Sequence, residues 1–196
     1  MVDMNNKSDA LVKELLAEVK GSRSGELVLP LRRLLWNTIT EDEPREVKRL
    51  ILTKLDCVCV NHGSDIWSHD FGSPQDLIKV LTVALDAAMG KVSEARALSI
   101  RDDFYVEVVE NQDYEPEEYP AMFVGHAAAN TIATATSDFV FDPSDDRDDR
   151  DLDPEAFEPS YLMATAFAGG LGDSGDSELR RRFWEWYLSS AINQVV

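Results

Sequence analysis

The feature that most constrains this chain is an aromatic stretch near its C-terminus, Phe183-Trp184-Glu185-Trp186-Tyr187-Leu188. On a helix from Ser177 to Val195, large apolar side chains cover most of the circumference, and such a helix is usually buried on several sides. We therefore expect this helix to be packed centrally, with its aromatic side chains in the core. Trp186 lies away from the main apolar face, so it is also a candidate for direct contact with a partner.

Length and hydrophobic pattern predict an all-α fold. The chain has 196 residues, of which 44% are hydrophobic, and this suits one domain whose core needs no disulfide or metal. Helical periodicity with Gly and Pro at the boundaries gives roughly eight helices, without a repeat or a domain linker. Residues 1–196 are therefore expected to form a single multi-helix domain, with a loop at 64–72. The predicted helices span 9–20, 26–39, 41–61, 73–89, 91–112, 115–137, a segment opening near Pro154 or Pro159, and 177–195.

The helix predicted at 115–137 carries a run of small residues, Gly125–Thr131. Small side chains let a neighbouring helix approach closely, and large side chains fill space well against small ones. We expect the aromatic C-terminal helix to pack against this run.

The charge balance favours a basic partner. The sequence holds 37 acidic and 19 basic residues, for a formal net charge of −18. Such a field repels nucleic acid and anionic membrane surfaces, and it speeds encounter with a basic protein. We therefore expect neither nucleic acid nor membrane as a partner. An acidic surface that serves solubility alone is the alternative.

The negative charge is densest in a segment that we expect to be unpacked. The run from Asp142 to Asp151 follows Phe141 and has no apolar anchor of its own. Charge runs of this kind are usually solvated, so residues 142–153 are predicted to form a flexible loop. A solvated tether is its simplest role, but its carboxylates are also candidates to bind a basic partner. These candidates are Asp145, Asp146, Asp148, Asp149 and Asp151.

The sequence predicts neither a metal site nor a cofactor site. Alternate residues of Asp149–Asp153 have the spacing of the first EF-hand ligands, but Pro154 replaces the required glycine and Ser160 the required glutamate. Two cysteines and two histidines lie within Cys57–His69, with the spacing C-x-C-x2-H-x6-H. This spacing does not match a zinc motif.

An enzyme is the third class of function, after two kinds of binding protein. The sequence lacks the G-x-S-x-G, P-loop, G-x-G-x-x-G and H-E-x-x-H patterns. A hydrolase site built on Cys57 or His126 would require a closed pocket, and His126 lies in a small-residue helix typical of packing. The basic triplet Arg180–Arg182 is expected to pair with acidic residues on a helix surface. We therefore expect no catalytic activity.

The two cysteines indicate a reducing compartment. Cys57 and Cys59 fall within a predicted helix, where side chains at i and i+2 point apart and form no useful disulfide. Their apolar neighbours favour a role as small core residues. The first residues, Met1–Lys7, are polar and include no signal-peptide core, and no run of about 18 apolar residues occurs. A cytoplasmic location is expected.

The C-terminal segment Ser177–Ile192 resembles the end of the immunity protein family numbered five of bacterial polymorphic toxin systems. Members tend to close with an Arg-x-x-Phe-Trp-x-Trp-Tyr/Trp-Leu motif, followed by a small and an apolar residue. The alanine-rich helix around Gly125–Ala128 and the aromatic-and-small helix Tyr161–Gly169 also fit. The resemblance covers roughly the last 80 residues. Two departures are Asn193, where the family usually has proline, and the Asp-rich loop.

This resemblance implies a protein that binds the toxic domain of a cognate toxin in the cytoplasm and blocks it without catalysis. It assigns no toxin-contact residue. From charge alone we expect a toxin with a basic surface, such as the cleft of a nuclease, which the acidic loop would occupy in place of phosphates. The alternative is an acidic helical adaptor or regulator that binds another basic protein.

Overall fold

The computed structural model describes residues 2–110 and 113–196, and within these ranges it holds nine α-helices and no β-strand. The all-α prediction is confirmed. Met1 and the predicted helix end at Gln112 lie outside the described residues. The helices are α1 (Val2–Gly21), α2 (Leu29–Thr40), α3 (Arg45–His62), α4 (Ser64–Phe71), α5 (Gln75–Ala88), α6 (Glu94–Tyr105), α7 (Tyr119–Thr136), α8 (Pro159–Ala168) and α9 (Ser177–Trp186).

Local signals in the sequence set most helix boundaries. Pro30 lies in the first turn of α2 and marks its start rather than a kink, since it needs no backbone N–H there. The Asp176 carboxylate accepts hydrogen bonds from the amides of Glu178 and Leu179 and so caps α9. Gly169 ends α8 in the left-handed conformation, with φ of 77°.

The segment 64–72, which we expected to be a loop, is the helix α4. Gly63 separates α3 from α4, and the tip of the Met163 side chain occupies the space that a Cβ atom at this position would take. The new helix places Trp67 in the core with 3% of its surface exposed. Tertiary burial of Trp67 thus produces a helix that the local pattern does not predict.

The small-residue helix α7 lies at the centre of the bundle, where it packs against α3, α4, α5, α6 and α8. At Gly125 the space of a missing side chain is taken by Trp67 and Val108. The prediction that the C-terminal helix packs against Gly125–Thr131 is wrong. Helix α8 packs against α7, and α9 packs against α8. The aromatic side chains of α9 pack against α8, with Phe167 and Phe183 stacked at a ring-centroid distance of 5.4 Å.

The aromatic C-terminal helix is buried in the core, as expected. It begins as α9 and continues as a π-helix (Tyr187–Ala191) and a 3-10 turn (Ile192–Gln194). Trp184 and Tyr187 are fully buried. Their polar atoms are paired across the bundle, since Nε1 of Trp36 donates to the Tyr187 hydroxyl at 2.8 Å. The buried apolar side chains of this helix join those of the other eight in one hydrophobic core.

Cys57 and Cys59 are free and buried on α3, as the helical spacing predicted. Burial raises the pKa of the Cys57 thiol to about 12 and holds that of Cys59 well above its ordinary value. Across residues 2–110 and 113–196, we find no helix with the length and apolar character needed to cross a membrane.

Candidate partner-binding surface

The connection between α7 and α8 carries the acidic residues singled out by the sequence, and we call residues 138–153 the acidic segment. It runs over the surface and includes one 3-10 turn, Asp149–Asp151. Asp146 and Asp151 are exposed to solvent. Asp151 accepts a hydrogen bond from the backbone amide of Asp148, at 2.9 Å, so only part of its charge is free for a partner.

Asp145 is held by two arginines. Its carboxylate lies 2.6 Å from Nη1 of Arg33 on α2 and 2.7 Å from Nη2 of Arg147. The hydrogen bond from Arg147 is the main reason that the pKa of Asp145 is well below its usual value, and Arg33 adds to it. Asp145 is therefore ionised, with its charge largely compensated within the chain.

Asp148 and Asp149 attach the acidic segment to the helical body. Asp148 accepts hydrogen bonds from the amides of Asp149 and Leu29, at 2.8 and 3.3 Å. Burial opposes the ionisation of Asp148, but these amides hold its pKa below the ordinary value. Asp149 is only 2% exposed and forms a two-point ion pair with Arg32 of α2. The acidic segment is therefore attached to the helical body by an ion pair and backbone hydrogen bonds, which a search for apolar anchors does not reveal.

The Arg32–Asp149 pair belongs to a buried ionic cluster of four residues, Glu26, Arg32, Asp149 and Arg180. Arg32 is completely buried, and its guanidinium lies 5.2 Å from the ring centroid of Trp184. It also donates to the carbonyl of Leu27, at 2.9 Å. Paired and hydrogen-bonded charges are the form in which ions are tolerated in a protein interior. The cluster therefore ties α2, the acidic segment and α9 together.

Within this cluster, Glu26 titrates near neutrality. Its carboxylate lies 3.2 Å from Nε of Arg180 and accepts a hydrogen bond from Nε1 of Trp184 at 2.9 Å. Burial raises the pKa of Glu26 to about 7, although Arg32 and Arg180 act in the opposite direction.

The prediction that Arg180–Arg182 pair with acids on a helix surface is wrong for Arg180. Its side chain is 1% exposed and donates to the carbonyls of Ser24 and Gly170 at 3.2 and 2.8 Å, besides its contact with Glu26. The following residue, Arg181, reaches back to backbone carbonyls at the end of α1. Only Arg182 has the exposed position expected for all three, with 69% of its side chain accessible.

Trp186 lies at the edge of the core, half-buried. Its indole stacks on the imidazole of His62, with ring centroids 3.6 Å apart and an interplanar angle of 11°. Burial lowers the pKa of His62, which favours its neutral form in the stack. The other face of His62 stacks on Phe167 at 5.0 Å. Part of the Trp186 side chain remains exposed at the surface.

A second acidic surface is formed by the stretch from the second half of α6 to the start of α7. Residues 102–118 contain eight acidic side chains and no basic one. It borders a cavity of about 420 Å³ between α4, α5 and α6, lined by aromatic side chains. Among these, Trp67 and Phe71 stack with centroids 4.3 Å apart. Among the described residues, Arg101–Asp102 is the one ion pair made by this surface. Its charge is therefore less compensated than that of the acidic segment.

Two further carboxyls, missed from the sequence, face a cavity beside the acidic segment. Asp56 of α3 and Glu158, which precedes α8, both line a space of about 160 Å³. Asp56 follows Leu52 by four residues and precedes Cys59 by three, so it occupies the apolar face of α3. Helical periodicity places Asp56 among apolar residues, so the sequence alone could have identified it as a buried acid.

The histidines and cysteines considered as metal ligands have other roles. His62 stacks on Trp186, and His69 is exposed beside Asp70. His126 is buried against Asn130 and Tyr105, and burial lowers its pKa to about 4. In the described ranges, no group of three or more His, Cys, Asp or Glu side chains has a geometry suited to a metal ion.

Comparison with known protein families shows which family this sequence matches. The family model described as "Immunity protein Imm5" matches residues 12–194. The chain belongs to the Imm5 family. A search of curated proteins finds no match.

The Imm5 match is wider than the resemblance seen in the sequence, which covered roughly the last 80 residues. It includes the acidic segment, the ionic cluster and both acidic surfaces. The Asp-rich run thus lies inside the Imm5 domain rather than in an appended tail.

Proposed function

We propose that this protein binds a cognate bacterial toxin domain in the cytoplasm and neutralises it by occupying its functional surface, without catalysis. The observation that carries the proposal is the match of the Imm5 immunity protein model to residues 12–194. The net charge of −18 supports a toxin with a basic surface, because opposite charge speeds encounter and favours the correct orientation.

We assign the first contact with the toxin to the outer carboxylates of the acidic segment. Asp146 and Asp151 are the exposed members, and Asp145 and Asp148 lie at its partly buried edge. Asp149 holds the segment in place from beneath through Arg32. Trp186, the remaining candidate, would supply an apolar contact through its exposed edge.

The proposal is tested by rescue from toxicity. The C-terminal domain of the large protein encoded next to this gene is expressed in a bacterial host, alone and together with this protein. Rescue of growth and co-purification of a stable pair are the expected results. Binding without rescue, or binding to an unrelated regulator in its place, would favour the acidic adaptor instead.

The role of the acidic segment is tested by neutralising its exposed charge. Asp146→Asn with Asp151→Asn should slow association with the toxin domain at least about twofold and flatten its salt dependence, since steering scales with local charge. The matched control, Asp113→Asn with Glu117→Gln, removes the same charge from the second acidic surface. Equal effects of the two pairs would remove the assignment to the acidic segment.

A further inference from the structure

The cavity of about 160 Å³ beside the acidic segment has an unusual lining. Its walls come from α2, α3, the end of α7 and the residues before α8, and its rim carries the exposed Ser137 and Asp138. A buried water needs roughly 10–15 Å³ of such volume, so the space suits the end of a long side chain. It therefore has the size of a pocket for one inserted group rather than of a structural void.

Two carboxyl groups face this space without a cation. Asp56 is 6% exposed, and Glu158 is half-buried. Among the described residues, neither carboxyl forms a salt bridge, although buried acids are normally paired with a positive charge. The cavity thus has two carboxyl groups in its lining that form no ion pair of their own, although the Arg49 guanidinium also lines it.

The nearby arginines are already engaged elsewhere. Arg49, which also lines the cavity, pairs with Asp138 at the rim, at 2.7 Å. Arg32 pairs with Asp149, and Arg33 with Asp145. Rotating Arg32 toward the cavity would leave Asp149 without its counter-charge, whereas Asp138 and Asp145 each have a second arginine, Arg45 and Arg147. No arginine of the chain pairs with Asp56 or Glu158 in this arrangement, so both carboxyls are available to a cation from another molecule.

The apolar walls select the type of cation. Trp36 and Phe139 line the cavity and meet edge to face, with centroids 5.8 Å apart. Aromatic walls favour a planar, weakly hydrated cation, and a guanidinium can stack on a ring while its N–H groups donate to carboxylates. A compact ammonium would lose more hydration on entering such a space.

We propose that this cavity receives the guanidinium group of an arginine side chain of the partner, with Asp56 and Glu158 as acceptors. The identity of the partner that supplies the arginine rests on the toxin-binding function proposed above. The affinity of the cavity for guanidinium itself does not depend on that function.

The proposal also implies release of protons on binding. Burial raises the pKa of Asp56 well above its ordinary value, partly offset by the Thr134 hydroxyl, and burial also raises the pKa of Glu158. A cation in the cavity favours the ionised carboxylates, so it displaces protons and binds more tightly at higher pH. The other titratable or charged groups around Asp56 and Glu158 are Arg32, Arg33, Arg49, Cys57, Cys59, Asp138, Asp149 and Tyr187.

The cavity is tested with a small probe on the full chain. n-Butylguanidinium is titrated at pH 6 and pH 8, and the indole N–H signal of Trp36 is followed by NMR. We expect saturable binding that tightens at least about threefold between the two pH values. n-Butylammonium should bind at least about threefold more weakly. No saturation, or equal binding of both probes, would overturn the assignment to guanidinium.

Variants identify the acceptors. Asp56→Asn and Glu158→Gln should each weaken n-butylguanidinium at least about tenfold, because each removes a charge-assisted acceptor. Glu155→Gln, an exposed carboxylate close in sequence, is the matched control and should leave binding unchanged. Asparagine matches the shape of the protonated Asp56 side chain, so this variant is expected to fold, and Glu158→Gln gives an independent reading.

Measurements with the toxin domain distinguish the guanidinium site from the proposed toxin-binding function. If the Asp56→Asn and Glu158→Gln proteins bind the toxin domain as tightly as the unmodified protein, the partner is not the source of the arginine and the proposal is overturned. Weaker binding by both variants, with Glu155→Gln unchanged, supports it. If the unmodified protein binds n-butylguanidinium but fails to rescue growth, the proposed function fails and the toxin as the source fails with it, while the guanidinium site stands.

Discussion

The indole of Trp186 lies flat on the imidazole of His62, sharing that histidine with Phe167 on its other side. Trp186→Ala should lower the free energy of unfolding by about 1–3 kcal/mol, because it removes a half-buried aromatic from the stack. It should also raise the pKa of His62 toward its ordinary value, since burial is what lowers it. Urea unfolding and an NMR titration of His62 measure the two effects.

Trp186→Phe is the matched variant, since it keeps a ring over His62. It should lose less stability than Trp186→Ala, and any loss of toxin binding in it reports on the contact surface rather than on folding. A His62 pKa that does not move in Trp186→Ala would contradict the role of the stack.

Asp149→Asn should be far more damaging than other changes in the acidic segment. It leaves the fully buried Arg32 without its counter-charge, and breaking a buried ion pair in this way costs about 3–5 kcal/mol. Asp146→Asn, on the exposed side, should stay within about 0.5 kcal/mol of the unmodified protein. Urea midpoints of the two variants give the comparison.

Replacing both partners tests whether charge or contact matters. Arg32→Met with Asp149→Leu removes both charges together, and it should recover most of the stability lost in Asp149→Asn. A double variant as unstable as Asp149→Asn would show that the hydrogen bond from Arg32 to the carbonyl of Leu27 is the more important interaction.

Glu26 should make stability depend on pH in the neutral range. Its pKa rises from 4.5 in the unfolded chain to about 7 in the folded one, so the folded state holds a proton that the unfolded state has lost. This contribution is complete below pH 4.5 and is lost as the pH rises through about 7. Glu26→Gln cannot titrate and keeps an acceptor for Trp184. Its stability relative to the unmodified protein should therefore increase between pH 4.5 and 7.5, as measured by urea unfolding across that range.

Gly125 is required by the close approach of other elements to α7. A Cβ atom there would lie 2.5 Å from Cγ1 of Val108 and 2.7 Å from the ring of Trp67. Gly125→Ala should therefore cost about 1–3 kcal/mol through overpacking. Gly21→Ala, at a helical position with no neighbour within 4 Å, should instead be neutral or stabilise by up to about 1 kcal/mol. Thermal melts of the two alanine variants should shift in opposite directions or differ clearly in size.

Sequence reasoning predicted the features that depend on neighbours along the chain. The predicted start of the last helix at Ser177 matches α9, and the aromatic density of Phe183–Leu188 predicted a buried C-terminal helix. These features depend on capping, propensity and periodicity, all of which act over a few residues.

It could not predict the features created by pairing across the chain. Arg180 follows the pattern of a solvated charge, and its burial depends on Glu26 and on the carbonyls of Ser24 and Gly170, which lie far from it in sequence or across a turn. α4 forms because the site that accepts Trp67 is built by α6 and α7. No local pattern of residues carries such information.

The pairing of Arg32 with Asp149 has a consequence for synthesis of the chain. The two residues are 117 positions apart, so at about 5–20 residues per second Arg32 leaves the ribosome roughly 6–23 s before its counter-charge exists. During that time α2 cannot be buried without a bare charge, and α7 and α8 are also incomplete. A chain that stops before Asp149 keeps a bare charge at Arg32 and lacks α8 and α9, so we expect it not to reach this fold. Under the proposed function, a cell that makes the toxin at the same rate would have to keep it inactive until translation of this chain is nearly finished.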